Sequence, residues 1–125
     1  MRERQNLSRL SILALRKRRE GLTKNLPPLS EILRGSLTER YMTCGKVSCK
    51  CARGERHGPI WYLSVTLDQS HRSGFTVPPD QVEAVRRWIE NDHIVKDRLE
   101  KISDINRELL RRSRSARKKQ SKSRR

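Results

Sequence analysis

The chain is 125 residues long, with 33% hydrophobic residues, five aromatics and a mean hydropathy of -0.91, which excludes a large apolar core. Lys and Arg number 30 against 14 Asp and Glu, a net charge of +16 that favours polyanionic partners through counterion release and long-range attraction. No apolar run approaches the ~20 residues a bilayer span needs, and "LSRLSILAL" is broken by Arg9 and followed by "RKRRE" without a small-residue cleavage site, so a cytoplasmic, nucleoid-associated chain is expected.

The charge sits at the ends. Residues 1–25 hold eight basic and two acidic residues and residues 111–125 hold nine basic and none acidic, which leaves 26–110 at +1. The first predicted element is a helix over 3–20, with Leu7, Leu10, Leu13 and Ala14 as a narrow apolar stripe and Arg2, Arg9 and Arg16 on another face. Such a basic helix either rests on the core with its charge in solvent or lies as an arm on phosphates or an anionic membrane surface. Gly21 and the pair Pro27-Pro28 end it, and a short turn of helix is expected at Ser30–Leu33.

Three strands follow, "SLTERYMT" (36–43), "IWYLSVTL" (60–67) and "SGFTVP" (73–78), rich in β-branched and aromatic residues; Trp61, Leu63, Val65 and Leu67 alternate with more polar neighbours. "DQSHRSG" (68–74) reads as the hairpin loop between the last two. Pro78, Pro79 and Asp80 suit the first turn of a helix, where a missing N–H costs nothing and a carboxylate meets the positive end of the dipole. No Gly or Pro interrupts it, so it is expected to run to about Arg112, roughly 50 Å at 1.5 Å per residue. Val85, Trp88, Val95, Leu99, Ile102 and Leu109 form a heptad-like seam with polar Asp92 and Asn106 between them. The seam packs either on residues 3–20 or on a partner helix or a second copy in a homodimer. The remainder, 113–125, reads as a disordered polycation, and Arg111, Arg112, Arg114, Arg117, Lys118 and Lys119 are candidates for the phosphate backbone. The expected class is α+β: a basic arm (1–25), a small three-stranded antiparallel sheet with a zinc-knuckle-like loop (26–78), a long helix (79–112) and the tail (113–125).

The loop between the first two strands, "TCGKVSCKCARGERHGP" (43–59), holds all three cysteines. Cys44, Cys49, Cys51 and His57 form an accepted donor set for a structural Zn2+ ion, three thiolates and one imidazole, with Gly45, Gly54, Gly58 and Pro59 supplying tight backbone. Zinc would also staple a thin-cored domain. An ordinary turn of reduced thiols, or a reactive thiolate favoured by Lys46, Lys50, Arg53 and Arg56, is the alternative. No acid/base pair or carboxylate cluster accompanies the thiols; Glu39, Glu55 and Asp68 stand singly, and His71 and His93 have no ligand spacing, so no enzyme is expected. Arg40, Lys46, Lys50, Arg53, Arg56 and Arg72 lie on or beside the sheet, where they could position DNA or RNA, with Tyr41 or Tyr62 free to stack on bases.

The segments "LRGSLTERY" (33–41), "CGKVSCKCARGERHGP" (44–59) and "WYLS" (61–64) resemble a family of small microbial and phage-associated proteins of unknown function, some labelled transposase-like. The resemblance covers about 30–110 and carries over Cys44, Gly45, Lys46, Cys49, Cys51, Gly54, His57, Gly58 and Pro59. It implies one shared module, an aromatic strand, a third strand ending in Val-Pro, a long charged helix, and a mobile-element setting. Ile60 departs from the aromatic usual there, and "DQSHR" replaces a glycine-rich turn. The expected function is a nonenzymatic nucleic-acid-binding protein with a structural zinc loop; the alternative is an oligomeric adaptor or regulatory protein acting through its long helix.

Overall fold

The computed structural model describes residues 6–42, 48, 54 and 57–123, which fall into two compact units. The sheet unit comprises Pro28–His93, and the helical unit comprises Met1–Pro27 with Ile94–Arg125. The elements are α1 (Ile12–Leu22), β1 (Ser36–Met42), β2 (His57–Thr66), β3 (Arg72–Val77), a single 3-10 turn (Pro79–Gln81) and α2 (Val82–Ser123). The N-terminal helix, the antiparallel sheet and the long C-terminal helix are those expected of an α+β chain.

In the sheet unit the strands lie in sequence order, β1-β2-β3, both pairs antiparallel. Alternation assigns the faces. Leu37, Trp61, Leu63, Val65 and Val77 share one side, and Val82, Val85 and Ile89 from the start of α2 pack there with Leu33. Leu63, on the central strand, is 1% exposed. Gly35 lets the chain enter β1 close over β2: a Cβ there would lie 2.9 Å from Leu63 Cδ1 and 3.0 Å from the Ser64 carbonyl oxygen. The Leu33 N–H donates to the Trp88 carbonyl, and the Asn91 side chain donates to the Glu31 carbonyl at 2.9 Å, tying the lead-in segment to α2. At the β2–β3 hairpin, Asp68 Oδ1 accepts from the N–H groups of Ser70 and His71, both at 2.9 Å, which closes the loop without glycine.

In the helical unit α1 starts where Ser11 Oγ accepts the Ala14 N–H at 3.0 Å, nine residues later than the sequence reading placed it. Leu15 and Ile105 are 0% exposed and Leu7 7%, with Leu10, Leu22 and Leu109 packed against them. Arg98 donates to the carbonyls of Leu22 and Lys24, satisfying acceptors that the end of α1 leaves open. Ser30–Leu33 forms no helix; the Glu31 N–H closes a turn on the Pro28 carbonyl, since a helix cannot continue back through Pro28. The segment read as a disordered tail is helical to Ser123. Its residues are mostly Arg, Lys, Gln, Ala and Ser with no Gly or Pro, and helix propensity there outweighs like-charge repulsion.

Candidate nucleic-acid interface

The face of the sheet turned away from α2 carries Ser36, Thr38 and Arg40 from β1, Ile60, Tyr62, Ser64 and Thr66 from β2, and Arg72, Gly74 and Thr76 from β3. Among the described residues it bears arginines, hydroxyls and Ile60, and no carboxylate. Tyr62 stands near its middle. The Arg40 guanidinium lies over the Tyr62 ring, 4.1 Å from its centroid. On the other side the ring takes the space a side chain would need at position 74: a Cβ on Gly74 would lie 2.6 Å from Tyr62 Cζ and 2.7 Å from Cε1. Arg34 Nη2 donates to the Thr66 carbonyl at the Arg72 end. Tyr41 is placed differently. Its hydroxyl donates to Glu39 Oε1 at 2.7 Å, which pushes the phenol's pKa up and puts it on Glu39's side of the strand rather than Arg40's.

The helical unit concentrates basic side chains on α1 and on the last turns of α2. Acidic residues there have cationic neighbours: Lys24 reaches Glu20, Lys101 reaches Asp97 and Arg107 reaches Asp104. Glu108 accepts from Arg111 at 2.7 Å and Arg112 at 3.0 Å, and those hydrogen bonds lower its carboxyl to about 2. Arg112 also donates to the carbonyls of Leu7 and Ser8, so it is engaged in holding the fold. Beyond Glu108 no acidic residue follows in the chain. Arg111, Arg114, Ser115 and Lys118 line one face of α2, and Arg117 and Lys119 are exposed beside it. Ile12, Arg16, Arg19, Leu109, Leu110 and Arg112 border a shallow groove, where Arg19 Nη1 donates to Asn106 Oδ1 at 2.8 Å.

The expected seam is divided. Val85 is buried in the sheet unit's core, and Trp88 is half-buried there, its indole N–H without a hydrogen-bond partner among the described residues. In the helical unit Val95, Ile102 and Leu109 are half-buried, but Leu99 is 60% exposed, and the fully buried residue is Ile105, which the heptad reading left off. The 3.6-residue stripe 98-102-105-109-112 faces inward instead, anchored by the arginines at its ends.

Cys44, Cys49, Cys51, Lys46, Lys50, Arg53 and Arg56 lie outside the described residues, and no group of three or more His, Cys, Asp and Glu that could hold a metal occurs among the described ones. No zinc knuckle is therefore part of the described fold. What borders the loop is defined: Met42 pairs with His57 across β1 and β2, and Gly58 has a φ of +151° with Tyr41 Cδ1 2.8 Å from where a Cβ would sit, so only glycine fits at its exit. Gly74 was legible as a signal, since glycine inside a strand marks a close approach; the Arg98 and Arg112 carbonyl contacts have no sequence signature.

A family model described as "Domain of unknown function (DUF6788)" matches residues 12–87, starting earlier and ending earlier than the expected 30–110. No curated protein and no solved structure matches the chain. No helix among the described residues is long and apolar enough to cross a membrane.

Proposed function

The chain belongs to that family of unknown function, and from this premise we propose that it is a nonenzymatic nucleic-acid-binding protein whose helical unit supplies the affinity. One observation carries the reading: the sheet unit holds nine basic and eight acidic residues, net +1, whereas the helical unit holds 21 and six, net +15. Glu20, Asp97, Asp104 and Glu108 are drawn into ion pairs, and the last turns of α2 keep a surplus of cations spaced three and four residues apart. Surplus positive charge on a helix is relieved by a polyanion that releases its own counterions on contact. The test is a salt-series titration of the full chain against duplex DNA. Replacing Arg114, Arg117, Lys118 and Lys119 by Gln should flatten the slope of log affinity against log salt by about 3 to 4 and weaken binding about 100-fold at low salt. An unchanged slope would sink the proposal.

Cys44, Cys49, Cys51 and His57 are assigned to a structural Zn2+ on the chemistry of the donor set and on the ladder pair Met42–His57, which brings the two ends of the loop together. Protein made without a histidine tag should carry about one zinc per chain. A second reading, an adaptor acting through α2, is favoured by Leu99 and Leu110, 60% and 63% exposed. Light scattering that finds a monomer at micromolar concentration and no partner-dependent shift removes it.

A further inference from the structure

The helical unit's charge explains attraction to any nucleic acid, but the open face of the sheet has a different chemistry, and from it we infer that Arg40, Tyr62 and Gly74 form a stacking platform for unpaired bases, so that the preferred ligand is single-stranded nucleic acid. The inference rests on the proposed function and names its ligand class. The platform is built inward to outward. Gly74 removes the side chain that would keep the Tyr62 ring upright, and the ring settles into that space. The Arg40 guanidinium lies over the ring, 4.1 Å from its centroid, and Arg40 itself is exposed, so a planar cation caps the ring on its solvent side. Bases stack on aromatic rings and on arginine planes alike, and every base offers a π-face, so the contact is tolerant of sequence.

The surroundings match a strand rather than a duplex. Among the ten outward-alternating positions of this face there are two arginines, a tyrosine and hydroxyls but no acidic residue, although the sheet unit as a whole holds eight acids. Arg40 and Arg72 stand near opposite ends, about 20 Å apart along β2 at about 3.3 Å per residue, with Arg34 beside Arg72. That length suits two or three nucleotides with their phosphates on the arginines and their bases over the middle. A duplex keeps its bases stacked on one another and offers this surface only a phosphate edge.

The test uses the full chain and fluorescein-labelled dodecamers of three kinds: single-stranded DNA, single-stranded RNA and duplex DNA. Tyr62→Leu and Arg40→Gln should each weaken single-strand binding about tenfold and leave duplex binding within about twofold, while Tyr62→Phe, which keeps the ring, retains single-strand affinity. The DNA and RNA arms tell which strand is preferred. If Tyr62→Leu and Arg40→Gln bind single strands as tightly as the unaltered chain, the platform is overturned and the helical unit's electrostatic role stands. If the unaltered chain binds none of the three, the nucleic-acid reading falls and the platform with it. A second measurement needs no substitution: ultraviolet crosslinking of a 4-thiouridine strand to the unaltered protein should label the peptide spanning β2, and labelling confined to α1 and α2 overturns the inference.

Discussion

The helical unit carries 21 basic and six acidic residues on a core of Leu7, Leu15 and Ile105, whereas the sheet unit carries nine and eight on a core of Leu63, Val77, Val82 and Val85. The contrast follows from where each finds its hydrogen bonds. A helix closes its backbone bonds within itself, and like charges four residues apart cost only about 0.2–0.5 kcal/mol per pair. A sheet closes them between segments far apart in sequence, and its register depends on apolar alternation that a run of charge would erase. Surplus cations are therefore carried where repulsion costs least, and the sheet is left electrically neutral enough for specific side chains to matter.

The comparison is broken most sharply by deleting the sheet's centre. Leu63→Ala should destabilise the sheet unit by about 2–5 kcal/mol, followed through the fluorescence of Trp61 and Trp88, both of which lie in that unit. If helical ellipticity disappears in the same transition, the two units do not behave separately. A pair of glycines gives a smaller effect of opposite sign. Gly74→Ala drives a methyl into the Tyr62 ring and should cost about 1–3 kcal/mol, while Gly21→Ala, in α1 with open space around it, should stabilise by about 0.5–1 kcal/mol. Thermal denaturation of both variants checks the sign. Ser11→Ala removes the cap of α1 at a cost of about 1 kcal/mol, seen as a lower helical midpoint.

The smallest effect is one of pH. Glu108 has its carboxyl lowered from 4.5 to about 2 by hydrogen bonds from Arg111 and Arg112. A depressed carboxyl contributes stability that is complete above its unfolded value, so this contribution is full above about pH 4.5 and is lost as pH falls through 2. Midpoints of the helical unit measured from pH 6 to pH 2 should decline over that window, less steeply in Glu108→Gln.

Much of the fold was legible because it rests on local signals. The strand segments were found within a few residues through alternation and β-branched content, and the long helix through Pro79, Asp80 and the absence of breakers. Two segments differ from their expectation. "RRSRSARKKQSKSRR", expected to be disordered because it has no apolar residue larger than Ala116, is helical to Ser123; and within the helical unit Arg98, Ile105 and Arg112 follow a 3.6-residue stripe rather than the heptad. A seven-residue template drifts from a straight helix by about 20° per repeat, enough to put Leu99 at the surface and hide Ile105. The platform was half legible. The sequence offers Arg40 with Tyr41 or Tyr62, and it is the hydrogen bond from Tyr41 to Glu39, whose strand partner is Trp61, that puts Tyr41 on the other side from Tyr62.

Finally, among the described residues β1 and β3 each have a strand neighbour on one side only, and β3 is exposed along all but its last residue, with Phe75 59% accessible. Unpaired strand edges invite copies to join edge to edge. At +16 the copies repel one another, so the protein is its own colloidal stabiliser. A polyanion added to charge equivalence cancels that repulsion while leaving the edges open. Turbidity should therefore peak near equal charge and clear again when either excess polyanion restores a net charge or salt frees the protein.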